Sequence, residues 1–190
     1  RYMSKRSKSV SKSTVNRELD LLKSLLNRAV EWGYLKASPA IGVNRYKLDE
    51  KEVRFLTPAE GHALMDAATG QMRGFIVTAL NTGLRKGELF ALTWNDIDFE
   101  REELRVRRSK GKRFRVLPLN DLVLQALGGH PRHITSDVVF HNPDGSGWKD
   151  IRGSFNATLA KAGLPRIRIH DLRHSFISNL VMAGEDLRTV

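Results

Sequence analysis

Cysteine is absent from the 190-residue chain. Its absence excludes disulfides, cysteine-based zinc sites and a thiol nucleophile together. Long apolar runs are also lacking, since none approaches the roughly 18 residues that a membrane span needs. The opening stretch, Arg1 to Ser13, is basic and serine-rich without an apolar centre, so it does not read as a signal peptide. No internal repeat is visible. These absences fit an intracellular, cytoplasmic protein with no membrane partner. Negative charge is scarce: 21 Asp plus Glu face 32 Lys plus Arg, a net charge of +11. Such an excess concentrates polyanions, and release of their counterions drives binding. A solubility surface or a ribosomal-type protein would share that excess. The cations are not spread evenly, however, but gather at Arg1–Lys12, Arg101–Arg115 and Lys161–Arg173. With 41% hydrophobic and 28% charged residues, the chain can bury one sizeable core with material left for a small second unit.

The spacing predicts a helix from an N-cap at Thr14 through Val15, Leu19, Leu22, Leu26 and Val30 to a stop at Gly33. A polar stretch then reads as a linker, dividing the chain into residues 1–46, a linker at 47–54, and residues 55–190. Thr57-Pro58-Ala59-Glu60 has the form of a capping box with proline at the first helical position. Helices are expected at about Met72–Asn81, ended by Gly83, and at Lys86–Leu92. The pattern then changes to period two, with Ile97/Phe99, Leu104/Val106 and Phe114/Val116 reading as three short strands. Helical spacing returns at Asp121–Leu127, Ile151–Ala162 and Asp171–Ala183. The fold class is therefore mainly α with a small three-stranded antiparallel sheet (α+β).

Two segments carry chemistry. In Thr82-Gly83-Leu84-Arg85-Lys86-Gly87-Glu88-Leu89, Arg85 opens a short helix after a glycine break, where a guanidinium and free backbone N–H groups suit a phosphate. Glu88 lies one turn on, close enough to orient it. In His170-Asp171-Leu172-Arg173-His174, an imidazole and a second guanidinium share one helical face. Two arginines and a histidine on one anion describe a site for a phosphate that gains charge during reaction. No carboxylate cluster suited to magnesium accompanies them, so the positive charge falls to the protein.

Together and in this order, these segments resemble the two arginine boxes of the tyrosine recombinases, the phage integrases. The resemblance runs from about Ser13 onward, because Thr14-Val15-Asn16-Arg17-Glu18-Leu19 is similar to the last long helix of that family's core-binding domain. It implies the DNA breaking-rejoining catalytic fold, with residues 1–46 as the end of the core-binding domain. It also implies site-specific cutting and rejoining of double-stranded DNA through a 3′-phosphotyrosine, without metal or cofactor. Arg85 and Arg173 would be the two catalytic arginines, His170 the histidine, and Glu88 and His174 supports. Lys110, in Ser109-Lys110-Gly111-Lys112, matches the family's general acid, which protonates the departing 5′ oxygen, and Lys112 competes for that role. The intact protein would assemble as a homotetramer on DNA, while a fragment would remain a monomer. The family's nucleophilic tyrosine follows the second box. Here Tyr2, Tyr34 and Tyr46 all precede Arg85, so the chain is expected to bind DNA but to stop short of the nucleophile.

Plainer readings compete with these. Arg105, Arg107, Arg108, Lys112, Arg113 and Arg115 alternate with Leu104, Val106, Phe114 and Val116, which usually means a solvated sheet face. Beside a catalytic lysine, phosphate contact by Arg107, Arg108, Lys112 and Arg113 is the functional alternative. Asn16 and Arg17 are candidate DNA contacts from the first unit, although basic exposed helix faces are common. His170 and His174, four apart, make half a zinc site without an evident third ligand. His62, His130, His133 and His141 read as surface or loop residues. A type IB topoisomerase-like enzyme and a non-catalytic DNA-binding fragment remain as alternatives.

Overall fold

The computed structural model describes residues 2–49, 54–107 and 114–185. The chain divides into two compact units, Arg1–Glu52 and Val53–Val190. Among the described residues no helix is long and apolar enough to cross a membrane.

The first unit is built on α2 (Lys12–Glu31), preceded by a short helix, α1 (Tyr2–Arg6), that periodicity does not reveal. Its cap is Ser11 rather than Thr14: the Ser11 hydroxyl accepts the Thr14 N–H at 3.2 Å, so the helix begins earlier than expected. Gly33, with φ of +77°, follows its end. Arg6 ties α1 to α2 through a forked bond to Glu18. Val15 and Leu19 are buried as the spacing predicts, whereas Leu22 is exposed.

In the second unit α3 (Pro58–Ala67) starts from the predicted box, with Thr57 Oγ1 accepting the Glu60 N–H and Glu60 Oε2 accepting the Thr57 N–H. Helix α4 (Gly70–Thr82) runs through the core, burying Phe75, Ile76, Val77 and Ala79, and packs against α6 (Asp121–Gly128) and α8 (Ile169–Met182). Removing side chains the size of Phe75, Ile76 and Val77 from water stabilises the fold by about 1.5–3 kcal/mol each. Gly83 ends α4 in the left-handed region, φ +59°, and turns the chain into α5 (Lys86–Phe90). The helix α7 (Arg152–Lys161) closes the core with Phe155 and Leu159.

Strands β1 (Ile97–Asp98), β2 (Glu103–Arg107) and β3 (Phe114–Pro118) form one antiparallel sheet in that order, with Leu104 opposite Leu117 and Val106 opposite Arg115. The strands stand where the alternation put them, but β3 is turned over. Phe114 and Val116 are exposed, and Arg115 and Leu117 lie on the sheltered side. Finally, α8 clasps the segment entering α3. Ser175 Oγ accepts the Leu56 N–H at 2.8 Å while donating to the Asp171 carbonyl, and Asn179 Nδ2 donates to the Leu56 carbonyl. This clasp fixes one face of α8, and Arg173 of the second motif points from the opposite face.

Candidate active site

Arg85 sits at the N-cap of α5 with extended backbone, so the glycine turn before it aims its side chain off the helix start. Glu88 lies one turn along and binds it twice: Oε2 accepts the Arg85 backbone N–H at 2.8 Å and Oε1 accepts Nη1 at 3.2 Å. A third bond reaches Glu88 from the sheet, where Arg115 Nη2 donates to Oε2 at 2.7 Å. Burial works to raise the Glu88 pKa. The Arg85 amide and the charges of Arg115 and Arg85 overcome it and hold the carboxyl below its ordinary range.

The second motif meets the first through the backbone. Arg173, on α8, donates from Nη1 to the Gly83 carbonyl, two residues before Arg85. Burial, then the charges of Arg85 and Arg115, lower the Arg173 pKa, against the opposing pull of Glu88. An arginine remains charged under such conditions. Three guanidiniums therefore share one neighbourhood in which Glu88 is the carboxylate bonded to two of them among the described residues, an arrangement that favours an added anion. Asp171 does not alter this balance. Its oxygens accept the Arg168 N–H, capping α8, and the Arg168 guanidinium.

His170 and His174 stand edge to face, ring centroids 4.7 Å apart. Burial first, then His174, lowers the His170 pKa against the pull of Asp171, and the charges of Arg168 and Arg173 add to the lowering. A neutral imidazole at pH 7 keeps one donor and one acceptor nitrogen. Among the described residues no group of three His, Asp or Glu is placed to hold a metal ion. Beside the arginines lies a cavity of about 830 Å³, lined by Gly83, Arg115, Arg173 and Phe176 among others.

Arg85, Glu88 and Arg173, drawn from two distant motifs, are thus brought into one electrostatic neighbourhood, and His170 is coupled to Arg173 on the same helix. Arg115 joins them, although the alternation of β3 marked it only as part of a solvated face. The alternation gave no signal for it, because Phe114 and Val116 read as the inward pair. Lys110, Lys112, Arg108 and Arg113 lie outside the described residues, and Arg107 occupies the end of β2 opposite Phe114. Arg17 is exposed on α2. Asn16 requires a correction: it is buried, its Nδ2 donates to the Tyr46 carbonyl at 2.9 Å and its Oδ1 accepts the Tyr46 N–H at 2.8 Å. Both ends of its amide hold the chain together, leaving it no role as an outward DNA contact.

His130 and His141 are also buried rather than on the surface. His130 lies with Nε2 3.0 Å from the Val139 carbonyl, and burial lowers its pKa, against that bond and with help from His141. Because the folded pKa falls below the unfolded value of 6.5, the unfolded chain takes up the proton first. Stability should be complete above that pH and decline as pH drops through it, with His170 contributing in the same direction. In urea titrations from neutral pH toward acid, His130→Gln should show a shallower decline than the parent. Equal slopes would mean that His130 does not contribute.

Comparison with known proteins bears on the family and the fold. Residues 54–190 match the phage integrase family. The integrase of Salmonella phage P22 is 32% identical over 181 residues, covering 87% of this chain and 46% of that protein. A XerC-like tyrosine recombinase of Caldanaerobacter subterraneus subsp. tengcongensis is 26% identical, covering 95% of this chain and 58% of its own. The chain thus spans about half the length of these curated relatives. Among solved structures, the Tn1549 transposon integrase in complex with circular intermediate DNA superposes with a TM-score of 0.73 at 24% identity, over 97% of this chain and 71% of that one. A lambda integrase dimer bound to a COC′ core site gives 0.76 at 16% identity, over 97% and 72%. The fold is the one these integrases share.

Proposed function

Since the chain belongs to the phage integrase family, we propose that it is the DNA-handling part of a site-specific recombinase, which cuts and rejoins duplex DNA through a 3′-phosphotyrosine. The observation that carries this reading is the bond from Arg173 to the Gly83 carbonyl, which joins the two arginine motifs. On this reading Arg85 and Arg173 take the non-bridging oxygens of the scissile phosphate. Their forks oppose the charge that builds as the phosphorus becomes five-coordinate, in a partly water-free site. The guanidiniums supply there the positive charge that phosphoryl transfer requires. His170, kept neutral, offers a hydrogen bond to the same phosphate, and His174 braces its ring. Lys110, with Lys112 as the alternative, protonates the leaving 5′ oxygen. Arg107, Arg108 and Arg113 contact phosphates beside it, and Arg17 offers a further contact from the first unit, the end of a core-binding domain. The intact enzyme works in the cytoplasm as a homotetramer on two duplexes.

Tyr2, Tyr34 and Tyr46 all belong to the first unit, upstream of the site. The 190 residues alone should therefore bind duplex DNA yet form no covalent adduct with a nicked suicide duplex. Fluorescence anisotropy should show affinity falling at least tenfold between about 50 and 200 mM KCl, since three or more neutralised phosphates give a steep salt slope. Salt-independent binding would overturn the phosphate reading. A covalent adduct would overturn the claim that none of these tyrosines is the nucleophile.

A further inference from the structure

The orientation of β3 leaves two apolar side chains outside and takes a cation in. Phe114 and Val116 are 67% and 51% exposed, while the arginine between them turns to the sheltered side. Leu117 shares the sheltered side and Leu119 beyond it is buried, so these leucines favour this face as well, and the arginine taken inward with them is held by Glu88. The Arg115–Glu88 bond is short, 2.7 Å, and its side chains are 28% and 16% exposed. The Arg85–Glu88 bond is longer, 3.2 Å, with the arginine 53% exposed. Local pattern broken in this way, beside a cluster of like charges, marks a functional constraint.

The chemistry of the carboxylate shows what the constraint achieves. Glu88 Oε2 is occupied by Arg115 Nη2 and the Arg85 amide, so the Arg85 guanidinium reaches only Oε1, through Nη1. Without Arg115, a carboxylate facing a single guanidinium would draw it into a forked pair and use up the edge an anion needs. With Arg115 present, Nε and Nη2 of Arg85 have no partner among the described residues. Arg115 has its own Nε buried without a hydrogen-bond partner, so its placement is not explained by its own satisfaction. We propose that Arg115 is a positioning residue of this site, fixing Glu88 so that Arg85 presents a free edge to the phosphate. The inference rests on the phosphate reading above.

Its test uses this chain with ¹³C-labelled glutamate side chains and ¹⁵N-labelled arginine, comparing the parent with Arg115→Gln and Arg115→Lys. In Arg115→Gln the Glu88 carboxyl should titrate about one pH unit higher or more, the effect of losing a cation at contact distance. The dissociation constant for inorganic phosphate, read at Arg85 Nε–H, should rise at least about threefold, the order of effect for one lost hydrogen bond to a charged group. Arg115→Lys should restore most of both, because Arg115 gives Glu88 one bond and not a fork. An unmoved Glu88 titration in Arg115→Gln, or a lysine no better than glutamine, would overturn the proposal. Equal loss of thermal stability in both variants with Glu88 unmoved would assign Arg115 to holding β3 alone. Should the parent bind neither phosphate nor duplex DNA, the phosphate reading fails, and the Glu88 titration still decides whether Arg115 sets the carboxylate.

Discussion

Gly83→Ala should lower stability by about 2–5 kcal/mol, and two separate strains lead to that figure. The first is conformational. Gly83 has φ +59°, and an L side chain there costs about 1–2 kcal/mol because Cβ crowds the following carbonyl. The second is steric: a Cβ would lie 2.3 Å from Cδ1 and 2.8 Å from Cε1 of Phe176. The glycine cannot retreat, since its N–H closes α4 on the Ala79 carbonyl and its own carbonyl receives Arg173. Phe176 must therefore swing, at a cost of about 1–3 kcal/mol typical of overpacking. Urea unfolding of Gly83→Ala, Phe176→Ala and the double variant separates the two strains. The double variant should recover the steric part and leave the backbone part, giving a coupling of about 0.5–3 kcal/mol. Salt-dependent DNA binding should weaken in Gly83→Ala as well, because the carbonyl that aims Arg173 is displaced. Stability within about 0.5 kcal/mol of the parent, the range of an ordinary surface change, would show that Gly83 is not a fixed point of the site.

Much of this architecture is written in short-range signals, and what the sequence conceals is set by partners far along the chain. Thr57-Pro58-Ala59-Glu60 specifies its own cap, and Gly83 its own stop, because both act within one turn of helix. The three strands are legible from alternation, but which face of β3 is inward is not. That choice also involves Glu88, 27 residues earlier, which receives Arg115 on the inward side. Asn16 looks like a surface amide on a basic helix until Tyr46, 30 residues on, takes both ends of it. His130 and His141 read as loop residues because nothing local reveals the backbone carbonyls that receive them. The site divides in the same way. Arg85, Glu88, His170 and Arg173 are named by their two motifs. That these meet through a main-chain carbonyl, and that a third arginine shares the carboxylate, follows only from the packing of α8 and β3 around the end of α4.

The convergence of three guanidiniums makes the stability of one variant depend on anions. Glu88→Gln removes the only carboxylate bonded to Arg85 and Arg115 among the described residues. The loss should be about 2–3 kcal/mol in low-salt buffer, less than for a fully buried pair because Arg85 is half exposed. Sulfate should then substitute for the missing charge. A ligand that binds only the folded state at ten times its dissociation constant restores about 1.4 kcal/mol, and the variant should gain more than the parent, whose site is already partly neutralised. The pH dependence gives a second check. Glu88 has a folded pKa below its unfolded value of 4.5, so its contribution is complete above that pH and disappears as pH falls through the folded pKa. Glu60 and Asp171 are lowered too, and keep an acid limb in both proteins. The difference between parent and variant isolates Glu88: it should be constant from neutral pH down to about 4.5 and close below it. Sulfate that stabilises both proteins equally, or a difference that stays flat into strong acid, would mean that Glu88 does not balance three converging arginines.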